Sequence, residues 1–181
     1  MIAHSIFVIF YFLIDSMILA LFPTSIANSL IFVPSLGFCA MVLTIRKFTS
    51  INAYIFAFSM GMLYDYLFAN TFLTYACIYL FIAFVVQLWK KHMTDTAIEL
   101  LILCISTLFV KECMIYFFMI FQQLTQVNMA IWFVRREFIT LLLNGILVFF
   151  VIFLIRLKDE YLAMKDRKIR KEEKIEWLKL K

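Results

Sequence analysis

The sequence predicts an all-α integral membrane protein with six transmembrane helices. Three observations lead to that class. Hydrophobic residues make up 65% of the 181, charged residues 16%, and the mean hydropathy is +0.98. A soluble domain of this size keeps too much of itself at the surface to hide that much apolar area, so part of its solvent has to be lipid. Runs such as IFVIFYFLIDSMILALF (6–22) and ITLLLNGILVFFVIFLI (139–155) are apolar on every side. They lack the alternation of a barrel strand and have the length of about 20 residues that carries a helix across lipid. The basic residues also segregate to alternate connections, as the positive-inside rule requires.

Taken in order, the spans fall near 4–22, 27–45, 52–69, 72–89, 98–122 and 137–156. Pro23 follows the first span, where it ends a helix without breaking one. Pro34 lies inside the second and predicts a kink or a local opening there. RKFTS separates the second and third spans, a short turn at Asn70 and Thr71 separates the third and fourth, and KKHMTD separates the fourth and fifth. Residues 122–136 form the longest loop, and its Trp132 and Phe133 suit an interfacial position. Residues 1–156 thus form one transmembrane domain, and 157–181 a charged cytoplasmic tail. Residues 1–22 contain no lysine or arginine and read as a span, not a secretory signal.

With the amino terminus inside, the inner side carries Arg46, Lys47, Lys90, Lys91 and the ten basic residues of 156–181, and the outer side only Arg135 and Arg136. Both termini are expected in the cytoplasm. The tail has six acidic residues, no glycine and no proline. Leu157, Tyr161 and Met164 have helical spacing, and Asp166 with Arg170 makes a favourable i,i+4 pair, so the sixth helix is expected to run on beyond the membrane. Its terminal IEWLKLK suits contact with anionic headgroups, although a solvated anchor explains the same charge.

Cys39, Cys77, Cys104 and Cys113 are isolated in apolar runs and the chain has two histidines, His4 and His92, which argues against disulfides and a metal site. No H-E-x-x-H, G-x-S-x-G or phosphate-cradling glycine loop is present. A non-enzymatic protein with no cofactor and no nucleic-acid partner is expected.

The ionisable residues within spans carry the functional interest, because each costs roughly 2.5–3.5 kcal/mol at mid-span when unpaired. Ala53, Ala57, Gly61, Asp65 and Ala69 recur every four residues and form one stripe of small side chains. Such a stripe lets two helix backbones approach closely in lipid, so Asp65 is expected to face protein. Asp15, Asp65 and Lys111 fall at a common height when the spans are laid out at 1.5 Å per residue. These expectations define a polar cluster of Asp15, Asp65, Lys111 and Glu112, with Arg135 reaching it and Asp65 pairing with Lys111. Three acids against one lysine leave an excess that either an arginine or a protonated carboxyl resolves. The cluster fits a role in fixing helix register, a pathway or ligand site, or a contact with a partner's membrane helix.

The order of these features resembles the MreD family of rod shape-determining membrane proteins. The residues that carry the resemblance are Pro34 in FVPSLGF, the basic pair Arg46–Lys47, Gly61 to Asp65 in GMLYD, ANTFLTY at 69–75, and the closing helix FITLLLNGILVFFVIFLIRL with Asn144 and Arg156. The resemblance covers most of 27–157. It implies a bacterial cell-membrane subunit of the elongation machinery that scaffolds an MreC-like single-span protein. Through it, the chain would link MreB filaments to lateral peptidoglycan synthesis by a RodA-type glycosyltransferase and a class B transpeptidase. It also implies a six-helix core similar to the substrate-binding subunits of energy-coupling-factor transporters. A substrate-capture subunit of a vitamin transporter is therefore the competing expectation, and the short outer turns, with little to line a pocket, favour the scaffold.

Overall fold

A computed structural model describes residues 2–21, 25–26 and 30–179. The described chain is almost wholly helical: α1 (Ile2–Leu21), α2 (Leu36–Ile45), α3 (Ser50–Tyr64), α4 (Thr74–Trp89), α5 (Ala97–Phe121), α6 (Met129–Trp132) and α7 (Phe138–Lys179). The exception is a two-residue antiparallel pair, β1 (Ser25–Ile26) with β2 (Leu30–Ile31). Three helical stretches, Ala3–Leu21, Ala97–Phe121 and Met129–Lys165, are long and apolar enough to cross a membrane, as an all-α membrane protein requires.

The centre of the bundle is the shortest of its apolar helices. All ten residues of α2 are buried, and α1, α3, α4, α5 and α7 all touch it. A helix without a polar face has to be enclosed by neighbours or by lipid, and here the neighbours do it. α1 packs along one side, and Phe12 closes over Gly37 so tightly that a Cβ there would lie 2.1 Å from the ring.

The expected second span differs most from its prediction. No helix contains Pro34: residues 32–35 have no regular secondary structure and α2 starts at Leu36, so of the two outcomes expected at Pro34 the chain shows the local opening and not a kink within a continuous helix. The ring removes an amide and pushes the preceding residue, Val33, out of the helical region. Residues 27–29 and Pro23 lie outside the described residues.

α3 continues through a π-helical turn, Asp65–Ala69, to a left-handed Asn70. The small stripe behaves as its spacing suggests: Ala53, Ala57, Gly61 and Asp65 are buried, and Ala69 is half-buried at the end of the turn. Its partner is α4, the helix α3 packs against most extensively. A Cβ on Gly61 would sit 2.5 Å from the Ala76 Cα and 2.8 Å from the Ala76 nitrogen and the Tyr75 oxygen. The glycine is therefore required by the approach of two backbones.

The long loop expected at 122–136 is shorter. Asn128 accepts a hydrogen bond from the Ala130 amide (2.9 Å) and starts α6, which runs through a second π-helical turn, Phe133–Glu137, directly into α7. Trp132 is buried and packs on Tyr116 with centroids 4.7 Å apart, so its side chain belongs to the core. α7 stays helical to Lys179, well past the apolar run. The expected Asp166–Arg170 pair and the terminal IEWLKLK contact fall outside the described side chains.

The backbone approach at Gly61 gives a direct test. Gly61→Ala should destabilise the purified protein by roughly 1–3 kcal/mol, the usual cost of overpacking. Gly145→Ala, where the nearest heavy atom would be the Ile105 Cδ1 at 3.5 Å, should be neutral or slightly stabilising. Thermal unfolding in detergent distinguishes the two, and an equal response would contradict the packing described.

Candidate functional site: buried carboxylates and a basic cluster at one end of the bundle

Both apolar-segment aspartates end on helix N-termini. Asp15, on α1, is buried and accepts hydrogen bonds from the amides of Leu36 (2.9 Å, Oδ1) and Gly37 (2.8 Å, Oδ2), the first two of α2. Asp65, at the end of α3, is buried and accepts from the amides of Tyr75 (3.1 Å, Oδ1) and Ala76 (2.9 Å, Oδ2), the second and third of α4, and from the Thr71 hydroxyl. The first amides of a helix have no intrahelical acceptor, and the helix dipole places partial positive charge there.

Neither helix caps itself. Ser35 precedes α2 but makes no capping bond; its hydroxyl instead accepts from the Lys111 ammonium at 2.8 Å. Leu73 precedes α4 with no side-chain acceptor, at φ 60°. A leucine in the left-handed region costs about 1–3 kcal/mol, and Asp65 with Thr71 offsets that strain by closing the helix start.

Lys111 and Glu112 form a second, separate group. The Lys111 Nζ lies 2.8 Å from the Glu112 Oε1, with both side chains at most 5% exposed, and Arg136 approaches the Glu112 Oε2 at 3.2 Å. Lys111 also sits 5.1 Å from the Phe38 ring centroid. Of the expected cluster, the structure therefore brings Lys111 and Glu112 together, while Asp15 and Asp65 each face a helix start. The expected Asp65–Lys111 pair is replaced by Asp65 on α4 and Lys111 on Ser35 and Glu112. Arg135 does not join the group: its side chain is exposed, and Arg136, one position further round the helix, reaches Glu112.

Three residues outside that set complete the polar interior. Asn144 accepts from the Ser35 amide (2.9 Å) and donates to the carbonyls of Val33 (2.9 Å) and Thr140 (2.8 Å). The Thr140 hydroxyl accepts from the Val33 amide at 3.3 Å. Glu137 is fully buried with neither carboxyl oxygen hydrogen-bonded. Thr140 and Asn144 carried a sequence signal, two polar residues four apart in an apolar run; Glu137 carried none beyond its charge.

A further set of charges gathers at the opposite end of α1. His4 contacts Lys158 at 3.0 Å, Lys47 pairs with Asp159, Arg46 pairs with Asp95, and Arg156 donates to the Asp95 carbonyl at 2.9 Å. The start of α1, the α2–α3 turn, the α4–α5 turn and the end of the apolar part of α7 thus meet at one end of the bundle. No group of three or more histidine, cysteine, aspartate or glutamate side chains that could hold a metal occurs among the described residues, and all four cysteines are free.

Fold and site together define a helical protein with three helices fit to cross a membrane and a buried polar interior. In comparisons with known proteins, no protein family, curated protein or solved structure matches the chain.

The capping geometry makes a specific prediction. Asp65→Ala should cost about 2–3 kcal/mol, the scale of lost hydrogen bonds to a charged group, and Asp65→Asn less, because the amide oxygen still accepts. Exchanging Asp65 and Lys111 should give no rescue over either single variant. Unfolding of these five variants and the parent protein in detergent measures this, and recovery in the exchanged protein would restore the direct ion pair.

Proposed function

We propose that the chain is a non-enzymatic, six-span scaffold subunit of the bacterial cell-elongation machinery, with both termini in the cytoplasm. On this reading it holds an MreC-like single-span protein and connects MreB to lateral peptidoglycan synthesis. The observation that carries it is the use of the intramembrane carboxylates. Asp15 and Asp65 direct their oxygens at the chain's own amides, which suits an interior that fixes helix positions. The apolar flanks of α1, α5 and α7 stay exposed for lipid and partner helices, as at Phe10, Phe117 and Phe153.

Six passes are consistent with the lengths. The non-helical segment 32–35 and α2, itself about 15 Å long, together cover much of the hydrocarbon thickness. α3 with its π-helical turn and α4 supply two further passes beside the three long helices. The meeting of the α1 start, the two basic turns and the α7 tail at one end fits a shared cytoplasmic side. The cleft beside α4 and α5, about 320 Å³ and lined by Phe72, Leu73, Cys77, Ile78, Met114 and Phe118 among others, presents no charged group. That weighs against a vitamin-capture subunit, whose site needs several convergent polar groups.

The test is co-purification of the tagged full-length chain from its native cells, followed by depletion. Recovery of a single-span coiled-coil protein, and rounding of the cells on depletion, are expected. A vitamin retained through purification, with no cell-wall protein recovered, would overturn the reading in favour of substrate capture.

A further inference from the structure

The basic end of the bundle encloses a feature that scaffolding leaves unexplained. An open basin of about 480 Å³ is lined by Arg46, Lys47, Lys90, Met93 and Asp95. A smaller recess of about 90 Å³ shares Arg46, Lys47 and Asp95 and extends to Leu43, Leu100, Ile155 and Arg156. Arg46 is only 7% exposed, yet its Nε has no hydrogen-bond partner. Among the described residues its ion-pair partner is Asp95, whose side chain is 83% exposed. A buried guanidinium is stabilised by a well-held anion with two or more oxygens, and a solvent-exposed carboxylate on one edge supplies only part of that.

The ordinary explanation for cations at this end is that they close helix C-termini, where carbonyls lack donors. Other residues already do so: Gln87 donates to the Ile45 carbonyl at 2.7 Å and Lys90 to the Phe48 carbonyl at 2.6 Å. Arg46 is not needed there. Lys47 and Lys90 each commit one ammonium donor in these contacts, to Asp159 and to Phe48, and an ammonium has three. Among the described residues, Asp95 is the carboxylate that lines the basin.

We propose that this basin binds a phosphate group, with Arg46 as its anchor, Lys47 and Lys90 as flanking donors, and Asp95 as the internal carboxylate that the phosphate displaces. Phosphate suits the arrangement because its oxygens span donors arriving from different elements and match the guanidinium fork. The group is carried by an anionic lipid headgroup or by a free phosphate compound; the chemistry at Arg46 is the same. The inference does not depend on the scaffold reading, since it uses only the cation geometry.

The full-length protein in non-ionic detergent is titrated with phosphatidylglycerol and bound lipid is counted by native mass spectrometry, with and without millimolar inorganic phosphate. Saturable binding is expected, weakened about tenfold in Arg46→Ala, the effect of losing a charge-assisted hydrogen bond. Asp95→Asn should bind several-fold more tightly, because a competing anion is gone. Competition by inorganic phosphate identifies a free phosphate ligand, and saturable lipid binding without competition identifies the headgroup. Equal retention of diacylglycerol, which lacks the phosphate, overturns the proposal. Should Arg46→Ala fail to stay monodisperse, Asp95→Asn decides alone: its side chain is exposed, and unchanged or weaker binding overturns the proposal.

Discussion

A helix that begins inside an apolar interior has amides that no water can satisfy. That constraint acts most fully at α2, whose first residues are buried, and in part at α4, which starts from a half-buried turn. In each case the answer comes from an aspartate on the preceding helix, and each carboxylate takes two successive amides. The bond does two things at once. It closes an exposed helix start, and it fixes the axial position of one helix against the next, since a bidentate carboxylate tolerates little sliding. Gly61 works in the same direction: it lets α4 come within backbone contact of α3, and that approach carries the Asp65 oxygens to the amides.

The charge balance follows from this arrangement. Counted as point charges, Asp15, Asp65 and Glu112 exceed Lys111 and demand an additional cation or a proton. Two of these acids are answered by the partial positive charge of helix N-termini, each equivalent to about half an elementary charge. Glu112 receives two full cations, Lys111 and Arg136. Lys111 connects the two systems, because its second contact is the Ser35 hydroxyl, immediately before the α2 amides that Asp15 holds.

Much of the fold was legible in the sequence, and the reason is composition. Long apolar runs set both ends of α1 and α5 and the start of α7 to within one or two residues, and the four-residue repeat of small side chains lies on the face of α3 that meets α4. The site was legible only in part. Periodicity shows that Asp65 faces protein, but an N-terminus has no residue letter, so an aspartate that caps a distant helix looks like one that needs a lysine. Arg135 and Arg136 are adjacent, and only the π-helical turn at Phe133–Glu137, which changes the phase of the helix by a residue, decides which points inward. Glu137, buried without a partner, sits at the end of that same turn.

The segment before α2 shows why a proline break is compatible with burial. Four non-helical residues against a protein interior leave amides and carbonyls that apolar neighbours cannot satisfy. Here Thr140 and Asn144 of α7 meet Val33 and Ser35. The match is geometric. Residues four apart on a helix are separated by about 6 Å along its axis, and residues two apart on an extended chain by about 6.6–6.8 Å. A polar pair spaced i,i+4 on a helix therefore reads alternate amides of a strand laid beside it. Pro34, which has no amide of its own, occupies the position between them and leaves no donor there to satisfy. The proline break before α2 and the two polar residues of α7 are one device: each supplies hydrogen-bond partners to the other.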